Sequence, residues 1–509
     1  VNIAAGDQRG RGITNMHGLI RSRTAALLLA AALSGCAAQN LNPVTGKAIY
    51  APVPAATEAY YGQKASDKMA ADYGLYQDAA LTAYVARIGQ ALAKNVVRKE
   101  IKYSFAILNE DDINAYALPG GYIYITRGAL NYANSEAEIA GILGHEIGHV
   151  DAFHFLHRKK RDTVKMLLSV LLRRTSKAAD DLALADELAI SATDQSNYSQ
   201  DQELEADALG IHYMALAGYD PQGLVAAIRT DEATSTFDDG GMKGNAFVHD
   251  LYALDRSHPA TRARRARAEA AVQAENAKLA ALAPGIGIAP KVERDAFLAA
   301  IDGMAFGEDP ADGAVDGRRM VNADLGFSFE APEEFDLWTN HGGGFGFGPK
   351  AAMTFETAGK YTGQSLTAYV QSEMMEKMTV SEVRALDIPG YRGATGIVAT
   401  GPFKLRVAAL HDRGSHLYEL VYVAHENAFD ALDAGFVKSL KSFHPPAGPD
   451  ATPRPARHIR IVTVKPGDTP QKLADRMAVP DQKLAWFRVV NGLEPGDEVK
   501  PGDKVKLVE

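Results

Sequence analysis

Cysteine is all but missing from this 509-residue chain: Cys36 is the single one, so no intramolecular disulfide can staple the fold. The apolar run Ala25–Leu33 is far shorter than the ~20 residues a membrane-spanning helix needs. A basic surplus is also absent, with 54 Lys and Arg against 63 Asp and Glu and a net charge of −9. Residues 1–35 hold four Arg and one Asp, so the chain beyond them is near −12. Nucleic acid, which is bound through many phosphate contacts from Lys and Arg, is therefore not an expected partner. The Gly-rich stretch His341–Lys350 lacks the GK[ST] ending of a phosphate-binding loop and is expected to be a hairpin loop.

What is present is more telling. His145-Glu146-Ile147-Gly148-His149 has the HExxH spacing, which on a helix stacks the two imidazoles on one face, within reach of one metal ion. Glu146 lies one step round the helix, where it can take a proton from metal-bound water. The flank from Glu138 to Gly144 is apolar with small residues, as expected for a helix buried against a neighbour. A core helix with two satisfied histidines is the plain alternative. Burying two His and a Glu without a metal would leave costly polar groups in need of partners.

The third ligand is not at the nearest offsets. An HxxGxxH extension fails because position 152 is Ala and position 155 is Phe, and His154 and His157 fall at the wrong offsets. No Glu follows roughly twenty residues later, as a thermolysin-type site requires. The better candidate is the helical stretch Tyr198–Gly210, where Glu203 and Asp207 share a face. Glu203 can complete a site with three protein ligands, leaving the fourth position for water. Asp207 can accept the free ring N–H of a ligating His. Glu205 points to another side, as a surface or supporting acid.

HExxH followed by ExxxD within "EADxxG" resembles the gluzincin family of the CAAX prenyl protease and the HtpX membrane protease, nearest to its soluble periplasmic BepA-like branch. Asn114–Ile125 matches that branch's "NAxALPGG" turn and strand, and Ser257-His258-Pro259 before an Arg-rich helix matches its "(S/T)HP" loop. The resemblance covers roughly residues 56–275. It implies a zincin-type metalloprotease domain, mainly α with a small sheet, acting as an endopeptidase on protein or peptide substrates. One zinc ion per chain would sit on His145, His149 and Glu203, with Glu146 as general base and Asp207 in support. The strand after Gly120, including Gly121, Tyr122 and Ile123, is expected to bind substrate backbone as an added strand, or else to be plain sheet core. In relatives a histidine at the place of His258 can fill the fourth metal position and hold the enzyme latent; the rival role is a hydrogen-bond donor to the transition state.

Arg21 and Arg23, the short apolar run and Leu33-Ser34-Gly35-Cys36 read as a leader with a cleavage site. Cysteine at the cut resembles a bacterial lipobox, which implies lipid attachment at Cys36. No Asp follows it, which favours the outer over the inner membrane of a Gram-negative periplasm. Met16 is the expected initiator and residues 1–15 a gene-model extension.

The expected organisation is multidomain: leader 16–35, linker 36–55, metalloprotease domain 56–279, linker 280–317 with a short helix at Asp295–Phe306, α+β unit 318–444, Pro-rich spacer 445–457 and a final module 458–509. Residues 162–193 are expected as helices over the cleft or as a surface hairpin. The α+β unit looks broadly like the PsbP/Mog1-type fold, and methionines 374, 375 and 378 are read as core. Val464–Thr469, Asn491–Leu493 and Lys500–Val505 resemble a LysM module, a βααβ fold that binds N-acetylglucosamine polymers such as peptidoglycan. Pro470 departs from the usual aliphatic there, which puts the first helix start in question.

The leading reading is a lipid-anchored periplasmic zinc endopeptidase in envelope protein quality control. The alternative is a chaperone-like or peptidoglycan-tethering scaffold lipoprotein with a latent metal site; a cell-wall amidase is a third. The His258 roles separate by experiment. A blocking histidine predicts that His258→Ala raises proteolysis, whereas an assisting one predicts a fall with zinc still bound, read by turnover and metal content.

Overall fold

The computed structural model describes residues 41–47, 53–157, 198–242, 262–282 and 289–509, apart from positions 308, 341, 362, 364, 376–377, 413, 415, 449–455 and 480–481. Cys36, the stretch 162–193 and the Ser257-His258-Pro259 loop lie outside these residues. None of the helices among the described residues is long and apolar enough to cross a membrane.

The HExxH segment lies in helix Glu136–Asp151, which begins where Ser135 caps the Glu138 backbone N–H. Helix Gln200–Ala217 carries Glu203 and Asp207 and starts on a capping box made by Ser199 and Gln202. These two helices touch through small residues. A Cβ on Gly144 would lie 3.2 Å from the Gly210 Cα, one on Gly210 would lie 2.8 Å from the His145 nitrogen, and one on Gly148 would lie 2.9 Å from the Ala206 oxygen. Backbones this close leave no room for side chains at the crossing. The polar faces on either side of it are thereby brought together.

Below the HExxH helix is a three-stranded sheet of β1 (Ser104–Leu108), β2 (Ala115–Leu118) and β3 (Tyr122–Thr126), in the order β1-β3-β2. β3 is central, parallel to β1 and antiparallel to β2. β2 is at the edge and packs on the HExxH helix. The tight turn Pro119–Gly121 between β2 and β3 uses Gly120 at φ +77° and Gly121 at φ +91°, which only glycine adopts readily.

A buried ionic strut ties these parts together. The Arg98 guanidinium lies 2.5 Å from Glu58 and donates to the Val150 carbonyl at the end of the HExxH helix. Glu58, on helix Ala55–Tyr73, also accepts from the Gly120 N–H at 3.0 Å. Asp151 accepts from the backbone N–H groups of Val97 and Arg98 and from the Tyr213 hydroxyl.

Residues 314–444 are rich in strands, as the alternating pattern predicts. A seven-stranded antiparallel sheet runs from Val380–Ile388 at one edge to Asp336–Asn340 at the other. Helix Glu426–Lys441 covers one face through Phe429, Phe436 and Leu440. Helix Leu366–Ser372 and the residues after it cover the opposite face through Val370, Met374 and Met375, with Met378 packed beside them. The expected Gly-rich hairpin loop is corrected: Gly343–Gly348 is a strand inside this sheet. Its alternation explains why. Phe345 and Phe347 pack with Trp338 at 5.6 and 5.9 Å between ring centroids. Gly344, Gly346 and Gly348 leave the space that Met320, Leu337 and Phe335 fill.

The final segment has the expected βααβ order: Arg457–Thr463, Pro470–Ala474, Lys483–Val490 and Lys504–Val508, with the two strands antiparallel. Pro470 is no obstacle. It occupies the first helical turn behind the Thr469 cap, where a missing N–H costs nothing. The stretch expected as the linker 280–317 is largely built into the fold: helix Arg294–Ile301 precedes Ala305–Phe306, which pairs with Arg457–Thr463. Lys506 is fully buried and donates to the carbonyls of Asn131 and Ala133, just before the HExxH helix. Burial lowers its pKa well below the ordinary lysine value, with Glu138 opposing that shift.

The strut carries a stability prediction. Arg98→Met leaves the Glu58 carboxylate buried without its partner and costs ~3–5 kcal/mol. Pairing it with Glu58→Gln recovers part of that loss, which urea unfolding of the three proteins measures.

Candidate metal centre

The sequence places His145 and His149 on one helical face, and the structure supplies the rest. His145 Nε2 and His149 Nε2 are 3.0 Å apart, His149 Nε2 is 3.4 Å from Glu203 Oε1, and His145 Nε2 is 3.5 Å from Glu203 Oε2. All three residues are buried, and their ligand atoms lie within 4.8 Å of one another. Donors on a tetrahedral zinc, with bonds near 2.0–2.1 Å, sit about 3.3 Å from each other. The observed spacing fits that geometry. Two imidazoles and a carboxylate also suit zinc by ligand type. Among the described residues this is the one group of three His, Cys, Asp or Glu so arranged. Glu146 is buried beside it at 2% exposure.

Asp207 lies beside the His145 ring. Its Oδ1 lies 2.8 Å from His145 Nδ1, so the ring donates to the carboxylate and turns Nε2 toward the metal position. Burial alone would raise the Asp207 carboxyl, but the Arg264 guanidinium and the His145 ring outweigh it and hold the pKa down to about 2. Arg264, from helix Arg262–Leu282, grips Asp207 with two bonds of 2.9 and 2.7 Å. Its Nη1 is also 3.3 Å from Glu203 Oε2. Two buried carboxylates side by side would otherwise repel, and this arginine offsets part of their charge.

Two contributors were not visible in the sequence. Arg264 is one of four arginines at 262, 264, 265 and 267, and only the packing of that helix on Gln200–Ala217 singles it out. Arg262 and Arg265 turn instead to Glu232. His154, whose offset does not suit a ligand, lies beside one. It lies 2.9 Å, Nδ1 to Nδ1, from His149. Tyr198 stacks on the His149 ring with centroids 3.8 Å apart.

The expected substrate strand needs correction. β3 is flanked by β1 and β2, so its backbone groups are engaged on both sides and it cannot accept an added strand. Gly121 and Ile123 are buried, and the Tyr122 hydroxyl bonds Gln63. Within this small sheet, β2 is the edge strand beside the HExxH helix. His258 and Cys36 lie outside the described residues.

A buried HExxH helix crossed by a Glu-bearing helix, with a small sheet alongside, defines a zinc metallopeptidase-type domain. Residues 79–272 match the model of Peptidase family M48. The chain is 30% identical over 194 residues to the "Beta-barrel assembly-enhancing protease" of Yersinia pestis, covering 37% of this chain and 40% of that protein. The Escherichia coli K12 protein of the same name is 32% identical over 158 residues, covering 30% of this chain and 32% of that one. "Metalloprotease YcaL" of Escherichia coli K12 is 30% identical over 148 residues, covering 29% and 57%. The matched segment thus spans well under half the length of the first two relatives. A solved structure of PsbP from Synechocystis sp. PCC 6803 aligns with 27% of this chain and 98% of its own at 14% identity and a TM-score of 0.21.

Arg264→Gln removes the cation that pairs with Asp207 and Glu203. The expected outcome is a loss of zinc affinity on the order of 10–100-fold, measured by competition with a chromophoric chelator.

Proposed function

We propose that this chain is a zinc-dependent endopeptidase, held by a lipid on Cys36 at the periplasmic side of the outer membrane and acting in envelope protein quality control. The observation that carries the peptidase reading is the convergence of His145, His149 and Glu203 at donor spacing, with Glu146 buried beside them. The relatives named for beta-barrel assembly support the setting, as do the leader and lipobox pattern around Cys36.

His145, His149 and Glu203 would hold the zinc, which would supply Lewis acidity to lower the pKa of a water toward ~7 and to polarise a carbonyl. Glu146 accepts the proton from the attacking water and delivers it to the leaving amine nitrogen. Asp207 and Arg264 keep the His145 ring in one tautomer throughout. The outer edge of β2 receives the substrate backbone as an added strand, which fixes register with little demand on side chains. His258, outside the described residues, would in our reading either block the zinc or assist the reaction. The βααβ module, in our reading LysM-like, binds peptidoglycan and places the peptidase near the wall.

Turnover of casein by the full chain tests the reading. Glu146→Gln is expected to retain zinc and lose at least ~100-fold in turnover, and a chelator to abolish wild-type turnover. Activity surviving in Glu146→Gln removes the assigned base.

A further inference from the structure

The two histidines of the HExxH helix are supported unequally, and this points to a residue outside the motif. His145 donates its Nδ1–H to a carboxylate, Asp207. On His149 the Nδ1 faces another imidazole nitrogen, His154 Nδ1, at 2.9 Å. His149 turns Nε2 toward the other donors, so in the neutral ring the proton is on Nδ1, which donates. His154 Nδ1 must therefore accept, which puts the His154 proton on Nε2. That nitrogen lies 3.4 Å from Glu205 Oε2 and has a carboxylate to donate to.

The chain is folded to hold His154 in this place. The HExxH helix ends at Asp151, and Phe153 then adopts φ +61°, a left-handed conformation that is costly for a bulky side chain. The reversal brings His154 back beneath His149, one residue into the short helix His154–His157. Phe153 is fully buried, with the Arg98 guanidinium 4.7 Å over its ring. Gln202, the capping residue of the Glu203-bearing helix, donates to the His154 carbonyl at 3.2 Å. His154 itself is 3% exposed. Both ligand-bearing helices thus secure it.

We propose that His154 is a positioning residue: it accepts the His149 Nδ1–H, fixes that ring's tautomer and orientation, and passes the polarisation on to Glu205. This rests on the metallopeptidase reading above. The arrangement is a carboxylate–histidine–metal triad with one imidazole inserted, so His154 stands between His149 and the Glu205 carboxylate.

The experiment uses the full chain with zinc, and separately with cobalt(II) as a spectroscopic probe. In His154→Leu the volume is largely kept and the acceptor lost. Zinc affinity, measured by chelator competition, is expected to fall on the order of 10–100-fold, with a changed visible cobalt spectrum. In His154→Asn, Oδ1 stands where Nδ1 stood, and zinc affinity is expected to return to within about threefold of wild type with a wild-type-like spectrum. Zinc held as tightly by His154→Leu as by wild type overturns the proposal. So does an Asn variant that loses as much as the Leu variant, because packing and not acceptance would then be the cause. Should His154→Leu not fold, a tenfold loss in a folded His154→Asn is equally decisive against it. A wild type that holds no zinc instead removes the metallopeptidase reading itself, and this role with it.

Discussion

The backbone contact between helices Glu136–Asp151 and Gln200–Ala217 is the constraint on which the site depends. Gly144, Gly148 and Gly210 let the two helices approach until a methyl group at these positions would meet main-chain atoms at 2.8–3.2 Å. Only at that separation can a glutamate on one helix reach the imidazole nitrogens of the other. Widening the crossing would move Glu203 out of ligand range and also pull Asp207 from the His145 ring. One steric fact thus sets both the metal ligands and their support.

That approach has an electrostatic cost, since it buries Glu203, Asp207 and Glu146 together. Arg264 offsets it from a third helix, with bidentate bonds to Asp207 and a longer reach to Glu203. Elsewhere the fold repeats the device. Arg98 serves Glu58 in the strut that ties the Pro119–Gly121 turn to the end of the HExxH helix. In both cases a planar guanidinium with several donors does what a point charge could not, because it joins two or three elements at once.

The C-terminal segment bears on the same helix from the other end. Lys506 spans from the last strand to the carbonyls of Asn131 and Ala133, and Arg294 links the Asn134 carbonyl to that of Lys504. The βααβ module is therefore packed on the metal-binding region. Whatever this module binds, its position is coupled to the residues that begin the HExxH helix.

Local chemistry was legible in the sequence: the HExxH spacing, the ExxxD face, the small residues flanking the motif and the strand alternation of residues 318–444. Each of these depends on neighbours within one or two helical turns or on side-chain alternation. The donor set was legible too, because Glu203 has a ligand's residue type and shares a helical face with Asp207. Only the tertiary structure decided which of four arginines balances Asp207, why a histidine at the wrong offset for a metal supports a ligand instead, and which strand is central in the small sheet. Those are contacts between segments far apart in the chain, or reversals such as the one at Phe153. Neither helical period nor residue type encodes them. The Gly-rich run shows the same divide: its glycines suggest a loop when read alone and become strand once Phe335, Leu337 and Met320 occupy the space above them.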